Sequence, residues 1–143
     1  MARIYIERQE LPEDVRRLFD ALWDDGDIPT PAECSPPVDV VETETGIEIL
    51  VDLPGVATTA VQVVFTRNVV LIAGHKVPAA CHHEEAAFHL AERGFGRFAR
   101  AVRLDGAFDA SRATAILRAG ELRVAIPQID DRRGREIRIP VRA

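Results

Sequence analysis

The chain changes its hydrophobic period between its first and second thirds. Near the start, Leu11, Val15, Leu18 and Leu22 recur at helical spacing, with Phe19 and Trp23 beside them. Pro12 suits a first helical turn, Glu13 and Asp14 suit the positive end of the helix dipole, and Gly26 ends the run. The pattern predicts one amphipathic helix of about twelve residues, a length that is marginal alone in water. Its apolar stripe therefore needs a cover: the chain's own domain, a sister subunit or another protein.

From Ile47 onward the period is two. Ile47, Ile49, Val51 and Leu53 alternate with Glu48, Leu50 and Asp52 as a half-buried strand, and Pro54-Gly55 turns the chain. Residues 61–65 form a second strand, Thr66-Arg67-Asn68 a tight turn, and residues 69–73 a third strand that is apolar throughout. A long strand runs over 95–104. Residues 113–117 pair with 122–126 across the hairpin turn Ala119-Gly120. Six or seven short strands with no helix between them predict an all-β fold, an antiparallel sandwich.

Prolines and charge set the boundaries. Residues 28–37 contain Pro29, Pro31, Pro36 and Pro37 and read as an extended linker. Residues 128–135 are polar and aperiodic and read as a flexible tether. The chain thus divides into an N-terminal arm (1–37), a sandwich domain (38–129) and a C-terminal extension (130–143). At 47% apolar and 29% charged residues, a packed core is expected and wholesale disorder is not. The arm carries nine acids and four arginines, so the chain's whole net charge of -5 belongs to it. That balance argues against a protein built to grip nucleic acid or anionic lipid. No apolar run approaches the ~20 residues of a membrane span, and the first twenty residues lack a signal peptide's apolar stretch. Two cysteines, Cys34 and Cys81, are too few for a disulfide scaffold and point to a reducing cytoplasm.

Motifs for chemistry are scarce. The chain has no GxxxxGK[ST], no GxSxG and no CxxC, and Gly94-Phe95-Gly96 alone is not a dinucleotide fingerprint. Cys81-His82-His83-Glu84-Glu85, with His75 and His89 nearby, has metal-ligand side chains. Neighbours on one loop do not set a tetrahedral site, however, and a second pair of spaced ligands is missing. We therefore expect no metal, no cofactor and no catalytic residue: the protein is not an enzyme. One residue breaks the strand pattern. Arg100 sits in the middle of the apolar face made by Phe98, Val102 and Leu104. A buried guanidinium there needs a carboxylate or several carbonyls, and it reads as a paired arginine at a sheet or subunit interface.

Four stretches together resemble the small heat shock proteins of the bacterial type, which share the α-crystallin domain. Asp52-Leu53-Pro54-Gly55-Val56, followed by the strands at 61–65 and 69–74, is similar to that domain's first half. The stretch Phe88-His89-Leu90-Ala91-Glu92-Arg93-Gly94-Phe95-Gly96-Arg97-Phe98-Ala99-Arg100 resembles the dimerisation loop and the strand after it. AILRAGEL at 115–122 resembles the A-x-x-x-n-G-x-L motif near the domain's end. Ile137-Arg138-Ile139, with Pro140-Val141 behind it, resembles the C-terminal I-x-I anchor. The likeness covers about residues 38–141. Asp105 departs from the family's usual proline and Glu121 from its usual valine; both are surface-type changes.

The resemblance implies an immunoglobulin-like β-sandwich with a short helical arm and a flexible tail. It implies an ATP-independent holdase, a cytoplasmic chaperone that binds partly unfolded clients under stress and assembles into homodimers and higher oligomers. Clients would meet the arm stripe: Leu11, Val15, Leu18, Phe19, Leu22 and Trp23. The dimer would form around Val38, Val40, Phe88, His89, Leu90, Arg93 and Arg100, with the 88–91 segment pairing on 38–41 of a second subunit. Ile137, Ile139 and Val141 would anchor in a groove between the edge strands, lined by Val61, Val63, Phe65, Thr114 and Ile116. On the last strand Ala115/Leu117 is the alternative face. Rival readings on the same sandwich are a p23-type co-chaperone adaptor and a structural coat protein. A metalloenzyme centred on the His-rich loop is a third.

Overall fold

Alternating apolar side chains fold into strands, and each turn signal between them reverses the chain. The computed structural model describes residues 3–5, 13, 17, 34–78, 83–129, 136 and 138–142. Its strands are β1 (Arg3–Tyr5), β2 (Val38–Glu42), β3 (Gly46–Asp52), β4 (Val61–Thr66), β5 (Val69–Lys76), β6 (Gly96–Arg103), β7 (Thr114–Arg118) and β8 (Glu121–Pro127). They make two four-stranded sheets, ordered β1-β6-β5-β4 and β2-β3-β8-β7, and every pairing is antiparallel. The hairpin β4–β5 turns on Arg67 and Asn68 (φ 48° and 59°), and β7–β8 turns on Ala119 and Gly120 (φ 50° and 77°). Two consecutive left-handed residues give the turn whose twist matches the flanking strands.

The sheets pack through one apolar layer. Ile47, Ile49 and Val51 of β3 and Leu122, Val124 and Ile126 of β8 meet Val70 and Ile72 of β5 and Phe98 and Val102 of β6. Gly74 lies opposite Phe98 in the β5–β6 ladder. A Cβ on Gly74 would stand 2.7 Å from the Phe98 ring and 2.3 Å from the Ala60 carbonyl oxygen, so only glycine fits.

The outward faces of the two sheets differ. On the second sheet Glu48 and Arg123 form an ion pair at 2.8 Å in contact with solvent. On the first, Val69, Leu71 and Ala73 of β5 and Ala101 of β6 alternate with the core residues, so they point away from the core, yet all are buried. Leu71 is 1% exposed. β5 is therefore buried on both faces, which explains why its sequence is apolar at every position from Val69 to Ala73.

Two differences from the sequence reading concern extent. β5 continues through His75 to Lys76, because the β6 ladder runs on to Gly96. β1 was not expected: three residues of the arm add to the free edge of β6, pairing Ile4 with Val102 and Tyr5 with Ala101. Glu13 and Arg17 are helical and one turn apart, with Arg17 Nε 3.4 Å from Glu13 Oε1. The remainder of the expected helix lies outside the described residues.

Candidate functional site

The chain enters the domain through a crossing between the sheets, and this crossing organises one side of the sandwich. The Cys34 N–H donates to the Arg97 carbonyl on the first sheet at 3.1 Å, and the Asp52 N–H donates to the Pro37 carbonyl on the second at 3.2 Å. Arg100 lies opposite Ile72 in register, on the same inward face as Phe98 and Val102. Its long side chain carries the guanidinium past the apolar layer to the sandwich mouth, where Nη1 donates to the buried Pro36 carbonyl. Burial pushes the Arg100 pKa below its ordinary value, though an arginine stays charged throughout the physiological range. Arg100 is half-buried, and of the two kinds of acceptor expected for it, a carboxylate or carbonyls, the one it meets among the described residues is a carbonyl.

Around this mouth lie the other residues expected at a dimer contact. Val38 and Val40 sit on β2, the edge of its sheet, facing inward opposite Val51 and Ile49. The segment between β5 and β6 carries Phe88, His89, Leu90 and Arg93, all exposed, Phe88 at 86%. Its base is fixed by Phe95, whose ring has Arg93 Cζ at 4.9 Å and Lys76 Nζ at 5.6 Å, both within cation–π range.

Because Arg100 and Pro36 bring β6 and β2 to one side, the opposite sheet edges, β4 and β7, share the other side. Val61, Val63 and Phe65 of β4 are half-buried there, packed against the core layer. On β7 the register sets Ala115 opposite Val124 and Leu117 opposite Leu122, so these two face inward. Thr114 and Ile116 point outward and are exposed, while the alternative pair, Ala115 and Leu117, takes the face turned toward the core. The tail residues Ile139 and Val141 are 83% and 98% exposed. Ile137 lies outside the described residues, as do Leu11, Val15, Leu18, Phe19, Leu22 and Trp23. Cys81 and His82 of the His-rich loop do so too; His83, Glu84 and Glu85 are exposed. Among the described residues no group of three metal-ligating side chains is close enough to hold an ion, and no helix is long and apolar enough to cross a membrane.

A two-sheet sandwich entered by a proline crossing, with an inward arginine at its mouth and a long loop before β6, is an α-crystallin domain. The model of the Hsp20/alpha crystallin family matches residues 39–142, and the chain belongs to that family. Small heat shock protein C4 of Rickettsia felis is 29% identical over 105 residues, 73% of this chain and 64% of that protein. Heat shock protein 16 of Schizosaccharomyces pombe is 33% identical over 101 residues, 70% of this chain and 71% of that one. Among solved structures, heat shock protein 16.0 from Schizosaccharomyces pombe superposes with a TM-score of 0.64 at 30% identity, covering 78% of this chain and 86% of that one. The hspA of Xanthomonas axonopodis gives 0.61 at 30% identity, covering 68% and 96%.

Proposed function

We propose that the protein is a cytoplasmic holdase: it binds partly unfolded proteins under stress and keeps them from aggregating, without ATP and without catalysing a reaction. The family membership over 39–142 carries this reading. The apolar side chains that a single subunit leaves in water support it: Phe88, Leu90, Ile139 and Val141. Scattered surface leucines need no explanation, but apolar clusters on a loop and a tail mark surfaces meant for other chains. We assign Phe88 and Leu90 to a homodimer in which the loop adds to β2 of a second subunit. Ile137, Ile139 and Val141 belong to a reversible link into the groove of Val61, Val63, Phe65 and Leu117. Clients meet the arm stripe.

The test is suppression of a model client's thermal aggregation in nucleotide-free buffer, followed by light scattering. Suppression at stoichiometric chaperone is expected; a strict need for ATP overturns the reading. In the full chain, Leu18→Ser with Phe19→Ser and Trp23→Ser should cut protection by more than half, because the stripe loses most of its apolar area. Arg100→Ala probes the dimer. It removes a charged hydrogen bond at the sandwich mouth, worth about 1.5–3 kcal/mol. That bond lies within one subunit, so its loss appears first as a lower melting temperature of the domain; the dimer dissociation constant should rise only as far as the loosened crossing disturbs β2, read by dilution in analytical ultracentrifugation. An unchanged constant would exclude Arg100 from the contact.

A further inference from the structure

Asp105 stands where the family usually has proline, and Gly106 follows it. An Asp-Gly pair carries a reaction that Pro-Gly lacks. The Gly106 backbone nitrogen attacks the Asp105 side-chain carbon Cγ; the Cγ–O bond breaks, the nitrogen gives up its proton, and one water leaves. The product is a five-membered succinimide. Water adding back at Cγ restores aspartate. Water adding at the former backbone carbonyl leaves the chain running through Cβ and Cγ, an isoaspartate of unchanged mass. Glycine is the most permissive successor, because no Cβ blocks the approach to its nitrogen.

The fold leaves this pair open to the reaction. Both residues are exposed in the connection after β6, beside an open cavity that Arg67, Asn68 and Arg103 also line. Among the described residues the Gly106 N–H, the attacking group, donates to no acceptor. Gly106 lies at φ 124°, where a side chain is strained, so the position suits glycine alone.

The same pair sits inside a clamp. The Leu104 N–H donates to the Asn68 backbone carbonyl at 2.7 Å, and Asn68 Nδ2 donates to the Gly106 carbonyl at 2.8 Å. Isoaspartate adds one backbone atom between those two grips. Leu104 is a core residue at 1% exposure, so the exposed Asn68–Gly106 bond is the one that yields. Just beyond it the chain holds the root of the C-terminal extension. The Asp109 N–H donates to the Pro127 carbonyl and the Ile129 N–H to the Ala107 carbonyl, both at 2.8 Å, and Phe108 bridges Gln128. A displaced Gly106 therefore disturbs residues 127–129.

We infer that Asp105-Gly106 is a site of spontaneous isoaspartate formation, and that its conversion loosens the root of the C-terminal extension. The modification accumulates with the age of the folded chain and needs only water. Aged subunits then assemble less tightly; this last statement alone rests on the tail link proposed above.

The test holds the full chain for weeks at neutral pH below its melting temperature, beside a sample denatured in guanidinium. Both are digested with Asp-N protease, which cuts before aspartate but not before isoaspartate. The chain's other such pair, Asp25-Gly26, is the internal reference. Residue 105 of the folded chain should convert at a rate within severalfold of the denatured one. An intact Asp105 in the folded chain, with conversion at Asp25 and in guanidinium, overturns the inference. Amide exchange at 107–109 and 127–129 should quicken severalfold in the converted fraction, while 47–51 and 122–126 keep their protection. Unchanged exchange at 127–129 refutes the loosening. Asp105→Glu keeps the charge, forms no five-membered imide, and should retain the exchange of fresh protein; equal quickening in this stored variant would assign the loosening to other damage. Assemblies of unchanged mass by light scattering, despite quickened exchange, count against the tail link and not against the modification.

Discussion

With Ile137 and Ile139 both changed to glycine, the protein will run as a dimer by light scattering, with the sandwich melting at its usual temperature. Around Ile139 the tail alternates, so Ile137, Ile139 and Val141 share one side and Arg138 takes the other. Pro140 removes a ladder donor, which suits addition to a sheet edge and forbids a central place. Ile139 and Val141 are bare in the single subunit, whereas Val61, Val63, Phe65 and Leu117 are only half-buried across the sandwich. Full burial of one isoleucine contributes ~1.5–3 kcal/mol, less the cost of ordering the expected tether at 128–135. Each link alone is weak; a closed assembly multiplies it, because every further link forms at high effective concentration. Removing two side chains per subunit therefore collapses the whole particle. Large oligomers persisting in the double variant would assign the assembly to the arm.

Phe98→Ala will destabilise the domain by about 3–5 kcal/mol, a large share of the ~5–15 kcal/mol by which such domains are stable. Phe98 is 1% exposed, lies between the two sheets, and has its ring over the gap left by Gly74. The backbone of two ladders surrounds that gap, so it cannot close when the ring is removed. The melting temperature should fall by more than about 12 °C in a calorimeter. Gly74→Val fails from the opposite direction. Its Cβ meets the Ala60 carbonyl, and backbone there cannot move aside without shifting the start of β4. A loss under about 1 kcal/mol in Phe98→Ala would show that the layer collapses around the deletion.

The second sheet was legible from alternation alone: β3 and β8 carry their apolar residues at every second position, and the Glu48–Arg123 pair marks the solvent side. β5 was legible in place but not in meaning. A continuous apolar run states that both faces are covered, without naming the cover. β1 escaped notice because three residues carry too little pattern, and their partner is the edge of a strand a hundred residues away. The acceptor for Arg100 escaped for another reason: every residue owns a carbonyl, so no residue type announces that Pro36 is the partner. The face of β7 was recoverable. A two-residue turn at Ala119-Gly120 sets Leu117 against Leu122, and Leu122 is core; that register excludes Thr114 and Ile116 from the inward face.

The two-faced burial of β5 has a cost for the molecule itself. Residues 69–73 are uncharged, free of proline and rich in β-branched side chains, the composition that stacks into dry cross-β zippers when it meets copies of itself. In the fold this strand is flanked by β4 and β6 and shielded above and below. A subunit heated past its own melting point releases that segment into solution, where copies of it can stack into cross-β aggregates. Its useful range ends where its own sandwich opens.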